Sequence, residues 1–163
     1  MPDHWVWHGD PVEPGGTVVF DLDGVLANAD HRQHLLQPEP GQRKNWKRFF
    51  ERAGDDALIE EVARLTLLLD RDLNRVLLTA RPTTIKDITT TWLDQFHVAW
   101  DLLVMRPAGV YTPSPVAKRD AVDELRAYGF ELLLAFDDDR RNVDMFHEAG
   151  VPCIYIHSGY YEA

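Results

Sequence analysis

One alternation constrains this chain more than any other feature. Short apolar runs recur at residues 17–20, 75–78, 102–105, 132–136 and 151–156. Between them lie longer stretches whose apolar residues fall every three or four positions. Leu58, Val62, Leu65 and Leu69 do so over 56–69, and Ile85, Ile88, Trp92 and Phe96 mark a second such stretch. Ala121, Val122, Leu125 and Tyr128 mark a third over 116–128, closed by Gly129 as an expected helix C-cap. A short fourth helix is predicted over 140–149, ending at Gly150. Strands that alternate with helices must return to the same edge, which makes the sheet parallel and covers both its faces. The expectation is an α/β, doubly wound, five-stranded parallel Rossmann-like sheet with right-handed crossovers.

A chain of 163 residues can bury a core of its own without disulfides. The single cysteine, Cys153, excludes an internal disulfide and any multi-cysteine zinc site, and its apolar strand suggests a buried position. No apolar run approaches the roughly 18 residues of a membrane span. The N-terminus lacks a basic region followed by an apolar stretch, so a cytoplasmic location is the expectation. The first 16 residues hold three prolines and three glycines and read as an irregular arm, with Trp5 and Trp7 to pin it. Seventeen basic and 27 acidic residues leave a formal charge of −10. A diffuse basic footprint for nucleic acid is therefore absent, although acids gathered round a cation would count in that sum without repelling a substrate.

In an open parallel sheet the functional residues lie beyond the carboxyl ends of the strands. After the first run come Asp21-Leu22-Asp23-Gly24, after the second Thr79-Ala80-Arg81, after the third Arg106, and after the fourth Asp137-Asp138-Asp139. Lys118 falls near the start of the helix before the fourth run. Gathered at one edge, Asp21, Asp23, Asp137 and Asp138 would repel and raise one another's pKa. A hard divalent cation relieves that repulsion, and oxygen-only ligation with room for water suits Mg²⁺. Thr79, Arg81 and Lys118 add donors and positive charge that fit a phosphoryl group. Asp21 and Asp23 share one side of an extended strand end, so one can attack phosphorus while the other passes a proton to the leaving oxygen. Asp139 reads as the N-cap of the next helix, and Arg106 as locally paired or lining the cleft.

These residues resemble the four motifs of the haloacid dehalogenase-like phosphatases. The motifs match Asp21-Leu22-Asp23-Gly24-Val25, then Thr79, Lys118 and Asp137-Asp138, in order over residues 17–156. The resemblance implies that Asp21 forms an aspartyl-phosphate and Asp23 is the general acid/base. It implies that Thr79 and Lys118 bind the phosphate. It also implies that Asp21, the Asp23 backbone carbonyl and Asp138 hold Mg²⁺, with Asp137 alongside. Leu77-Leu78-Thr79-Ala80-Arg81 and the segment from Ala135 to Gly159 are similar, more narrowly, to the 3′-phosphatase domain of bacteriophage-type polynucleotide kinase/phosphatases. In that group an arginine two positions after the hydroxyl residue contacts phosphate, which points to Arg81. Ala80 stands where that group usually has glycine. No G-x-x-x-x-G-K-[ST] phosphate loop exists in the sequence, so no kinase activity is expected.

Two substrates stay open: the 3′-phosphate of a DNA or RNA end, or a nucleotide or other small phosphomonoester. No membrane and no protein partner is expected. The chain reads as one phosphatase domain, 1–163, with residues 27–55 as a small cap-like insert and an open cleft. Within the insert, residues 41–52 carry five cations interleaved with Trp46, Phe49 and Phe50. That pattern fits first an amphipathic helix with its aromatics packed down, and, compatibly with it, a basic ridge beside the cleft. His31 and His34 read as a polar cleft wall, and Trp92 and Phe96 as core.

Overall fold

Val18, Val19 and Phe20 are almost wholly buried, so the first apolar run is covered on both faces. The computed structural model describes residues 1–161. Its elements run β1 (Trp5–Trp7), β2 (Gly16–Phe20), β3 (Ala27–Asn28), α1 (Trp46–Glu51), β4 (Ala57–Leu58), α2 (Glu60–Leu68) and β5 (Asn74–Pro82). They continue with α3 (Lys86–Gln95), β6 (Leu102–Arg106), α4 (Ser114–Ala127), β7 (Glu131–Asp137), α5 (Arg140–Glu148) and β8 (Cys153–Tyr155). Short 3₁₀ turns lie at Asp30–Leu36, Ala53–Asp55 and Thr83–Ile85.

The main sheet has the order β1-β6-β5-β2-β7-β8. The chain leaves β2 toward β5 and β6, then returns to β7 and β8 on the other side. Strand order therefore reverses at β2, which opens a crevice at its carboxyl end. Along β2, Val18 and Phe20 join the apolar layer that holds Val62 of α2 and Trp92 and Leu93 of α3. Val19 joins the layer formed by Ala121, Val122 and Leu125 of α4 with Met145 and Phe146 of α5. Period-two alternation thus roots both layers in one strand.

Four expectations need correction. The sheet has six strands rather than five, and β1 is antiparallel to β6. Residues 1–16 are accordingly not a wholly irregular arm. Trp5 pairs with Val104, packs its ring against Tyr128 and Phe130, and donates from Nε1 to Glu124 Oε1 at 3.0 Å. The helix expected over 56–69 begins only at Glu60, because Asp56 is extended and residues 57–58 pair with β3. Cys153, expected in the core, is only half-buried.

Among the described residues, no helix is long and apolar enough to cross a membrane.

Candidate active site

The end of β2 is built as a tight turn. The Leu22 carbonyl accepts from the backbone N–H groups of Val25, Leu26 and Ala27 at 3.1, 2.9 and 2.9 Å. Leu22, Val25 and Leu26 are fully buried, so the turn is anchored by side chains that water never reaches. Gly24 has φ +82°, and a Cβ there would collide with Asp138 Oδ2. Only glycine permits both this backbone and the approach of the Asp138 carboxylate.

The turn and the end of β7 bring Asp21, Asp137 and Asp138 together, with one carboxylate oxygen of each within 4.8 Å of the others. All three are buried. Lys118, on α4, places Nζ 2.7 Å from Asp137 Oδ2 and 3.1 Å from Asp21 Oδ1. Burial works to discharge this ammonium, but the two carboxylates outweigh it and its pKa is raised. Asp137 is fully engaged, since its Oδ1 also accepts from Asp139 N at 3.0 Å and Asn142 Nδ2 at 3.2 Å. It thereby ties Lys118 to the start of α5.

Asp21 Oδ1 accepts from Leu22 N at 2.8 Å. Burial pushes the Asp21 carboxyl well above its ordinary value; Lys118 opposes this, and Asp137, Asp138 and Asp23 add to it. Burial likewise pushes Asp138 up to about 6, against the hydrogen bond from Ser158 Oγ to its Oδ2 at 2.6 Å. The other oxygen, Asp138 Oδ1, is buried with no hydrogen-bond partner among the described residues. Three carboxylates face one ammonium here. A buried orphan oxygen in an all-oxygen set fits a hard divalent cation, which would supply the missing partner and the missing charge.

Asp23 does not join this group, although four clustered carboxylates were expected. Its Oδ1 accepts from Arg32 Nη2 at 2.6 Å and from Arg81 Nη2 at 2.6 Å and Nε at 3.2 Å. Burial works to raise its pKa, but Arg81 and Arg32 prevail and hold it at about 2. Both guanidiniums are anchored behind by Asp56, whose Oδ2 accepts from Arg32 at 2.7 Å and Arg81 at 3.2 Å. Asp56 Oδ1 also takes Arg32 Nε at 2.8 Å and sits 2.7 Å from His31 Nε2. The Asp56 carbonyl accepts from Trp92 Nε1 at 2.8 Å.

Thr79 is buried in the second half of β5, where its Oγ1 accepts from Arg81 N at 3.1 Å; Ala80 between them is half-buried. Arg106 donates to the carbonyls of Val110 and Thr112, so it is locally paired. Asp139 caps α5 by accepting from Arg141 N at 3.0 Å. Of the expected site residues, Asp21, Lys118, Asp137 and Asp138 meet directly, and Asp23 meets Arg81. Arg32, Asp56 and the part played by Ser158 were not foreseen from the sequence. For Arg32 the available signal was a cation nine positions past Asp23 in a segment without helical periodicity.

The polynucleotide kinase PNKP phosphatase domain family matches over residues 15–161. Among solved structures, a chain of a Pnkp1/Rnl/Hen1 complex is similar at TM-score 0.73 and 24% identity, over 92% of this chain and 48% of that one. A second structure, of a Pnkp1/Rnl/Hen1 RNA repair complex, gives TM-score 0.71 at 23% identity, over 98% and 48%. The class C acid phosphatase from Bacillus anthracis gives TM-score 0.59 at 15% identity, over 91% and 68%. The chain thus spans about half the length of the first two, and at these identities the likeness is one of fold. No curated protein matches in sequence.

Proposed function

Given that the chain belongs to the polynucleotide kinase PNKP phosphatase domain family, and so is a phosphomonoester hydrolase of the haloacid dehalogenase-like fold, we propose that it removes the 3′-phosphate from DNA or RNA ends. The observation that carries the proposal is the pairing of two unlike aspartates at the carboxyl end of β2. Asp21 belongs to the carboxylate cluster with Lys118, and Asp23 lies two residues on in the grip of two guanidiniums.

Asp21 is the nucleophile. Its Oδ1 is held by Leu22 N and Lys118, which leaves Oδ2 to form the bond to phosphorus. As that bond forms, the bond from phosphorus to the 3′-oxygen breaks, and Asp23 gives that oxygen a proton. Asp23 can carry a proton only when Arg32 and Arg81 are drawn toward the incoming phosphate, because the free site keeps it ionised. Water then attacks the aspartyl-phosphate, Asp23 takes its proton, and inorganic phosphate leaves with Asp21 restored. Lys118 neutralises the charge that develops on the transferring group, and Thr79 and Arg81 orient it. Asp21, Asp138 and the Asp23 carbonyl would hold Mg²⁺, which when bound offsets charge on the phosphoryl oxygens.

The charge of −10 favours a second reading, a phosphatase of nucleotides or other small phosphomonoesters. Rates on a 3′-phosphorylated oligonucleotide, a 5′-phosphorylated one and free nucleotides decide between them. The proposal expects the first to be fastest in Mg²⁺ and to stop in chelator. A faster reaction on free nucleotides would replace it with the second reading.

A further inference from the structure

Resting on that reading, we propose that α1 and the turn before it form the docking ridge for the nucleic-acid strand behind the reacting end, with Trp46 as a platform for one of its bases. Residues 41–52 hold Arg43, Lys44, Lys47, Arg48 and Arg52 against the single carboxylate of Glu51. Of these cations only Lys47 reaches an acid, Glu51 at 3.9 Å, among the described residues. Arg43, Lys44, Lys47 and Arg48 are all exposed. In a chain with ten more acids than bases, such a concentration of uncompensated positive charge has a polyanion as its complement.

The helix is held by ordinary local means: the Asn45 side chain caps α1 by accepting from Arg48 N at 3.1 Å, and Lys47 faces Glu51 four positions on. Neither contact uses the Arg43, Lys44 or Arg48 side chains.

The aromatics are likewise divided. Phe49 is buried, while Trp46 is 48% exposed, although all three aromatics of the segment were expected to pack down. The Trp46 ring stacks on Phe50 at 24° and meets Phe49 edge-on at 5.8 Å, so two rings brace it while about half of it stays in solvent. Lys44 Nζ lies 5.7 Å from its centroid. An indole held rigid beside cations is what a sequence-tolerant single-strand site requires.

Position ties the ridge to the chemistry. The Arg32 guanidinium lies 4.2 Å over the Phe49 ring and donates to the Phe49 carbonyl at 3.3 Å, while its Nη2 holds Asp23. One arginine thus bridges α1 to the reacting centre. That contact sets α1 beside the reacting centre, and the proposal seats on it the phosphates behind the terminal one.

The test compares wild type with Trp46→Ala and with Arg43, Lys44, Lys47 and Arg48 all changed to Gln. Substrates are a 3′-phosphorylated oligonucleotide and a nucleoside 3′-monophosphate. A second arm follows binding of a 3′-hydroxyl oligonucleotide by anisotropy at two salt concentrations. Trp46→Ala should cut kcat/KM on the oligonucleotide by about 5- to 100-fold and spare the mononucleotide. The quadruple change should flatten the salt slope of binding by about 0.7 for each phosphate that is no longer neutralised. Equal losses on both substrates would overturn the ridge and leave α1 as a support for Arg32; no loss on either would overturn it too. If wild type leaves the 3′-phosphorylated oligonucleotide untouched, the 3′-phosphatase reading fails. The binding arm then judges the ridge alone: salt-dependent binding that disappears in the variants upholds it, and unchanged or absent binding ends it.

Discussion

Asp21 and Asp23 stand two residues apart and are driven in opposite directions, Asp21 up by burial and Asp23 down to about 2 by Arg81 and Arg32. Asp21→Asn should therefore do two things. Turnover should vanish, because an amide is no nucleophile, and the metal-free protein should become more stable, because one member of a buried carboxylate group is gone. A steady-state assay, with deamidation excluded by mass, and a urea titration check both halves; residual turnover above a few per cent would remove Asp21 from the nucleophile's role. Asp56→Ala should act the other way. It strips the anchor from two buried guanidiniums and should lower stability by about 3–5 kcal/mol, read as an earlier urea midpoint at unchanged m-value. Why one of these acids was legible in the sequence and the other was not is physical. Asp21 follows an apolar run, and the strand-end rule assigns it a place. Asp56 acquires its partners Arg32 and Arg81 across 24 and 25 positions. Nothing local in the sequence separates such a charge from a solvated one.

Elements differed in the same way. The covered strands and the helices that follow them were legible because periods of 2 and 3.6 are written into neighbouring residues. β1 was hidden by the prolines and glycines that follow it, and its pairing with β6 lies nearly a hundred residues away. The segment after β8 was visible only as a likeness, yet it closes the site. Ser158 Oγ donates to Asp138 Oδ2, Tyr160 N donates back to Ser158 Oγ at 3.2 Å, and the Tyr160 hydroxyl accepts from Ala29 N at 2.9 Å. Ser158→Ala would leave Asp138 unoriented without touching Asp21. We expect about a 10- to 100-fold rise in the Mg²⁺ concentration needed for half-maximal rate, with kcat at saturating Mg²⁺ largely kept. A drop in kcat with no change in Mg²⁺ requirement would instead place Ser158 in the chemistry.

For the molecule as a whole, the carboxylate site sets a pH dependence. Asp138 binds its proton more tightly when folded, at about 6 against an ordinary carboxylate near 4, so the metal-free fold loses stability as pH rises from about 4 to about 6. Asp21 acts in the same direction. Asp23 has the opposite sign: its contribution is present above the ordinary carboxylate range and fades as pH falls toward about 2. Mg²⁺ should therefore raise Tm more near pH 7.5 than near pH 4.5, by roughly 5–10 °C at a hundredfold excess over its dissociation constant. Thermal scans in Mg²⁺ and in chelator measure this, and coincident curves at the higher pH would mean that no cation binds there. The edges of the sheet carry a different consequence. Both outer strands, β1 and β8, are three residues long. The strand that β1 covers, β6, is buried over Leu102, Leu103, Val104 and Met105. Those three residues of β1 act as a stopper. They occupy hydrogen-bonding groups that would otherwise recruit strands from other molecules, so a shortened chain beginning after Trp7 would keep its reacting residues yet be prone to zip edge to edge into aggregates.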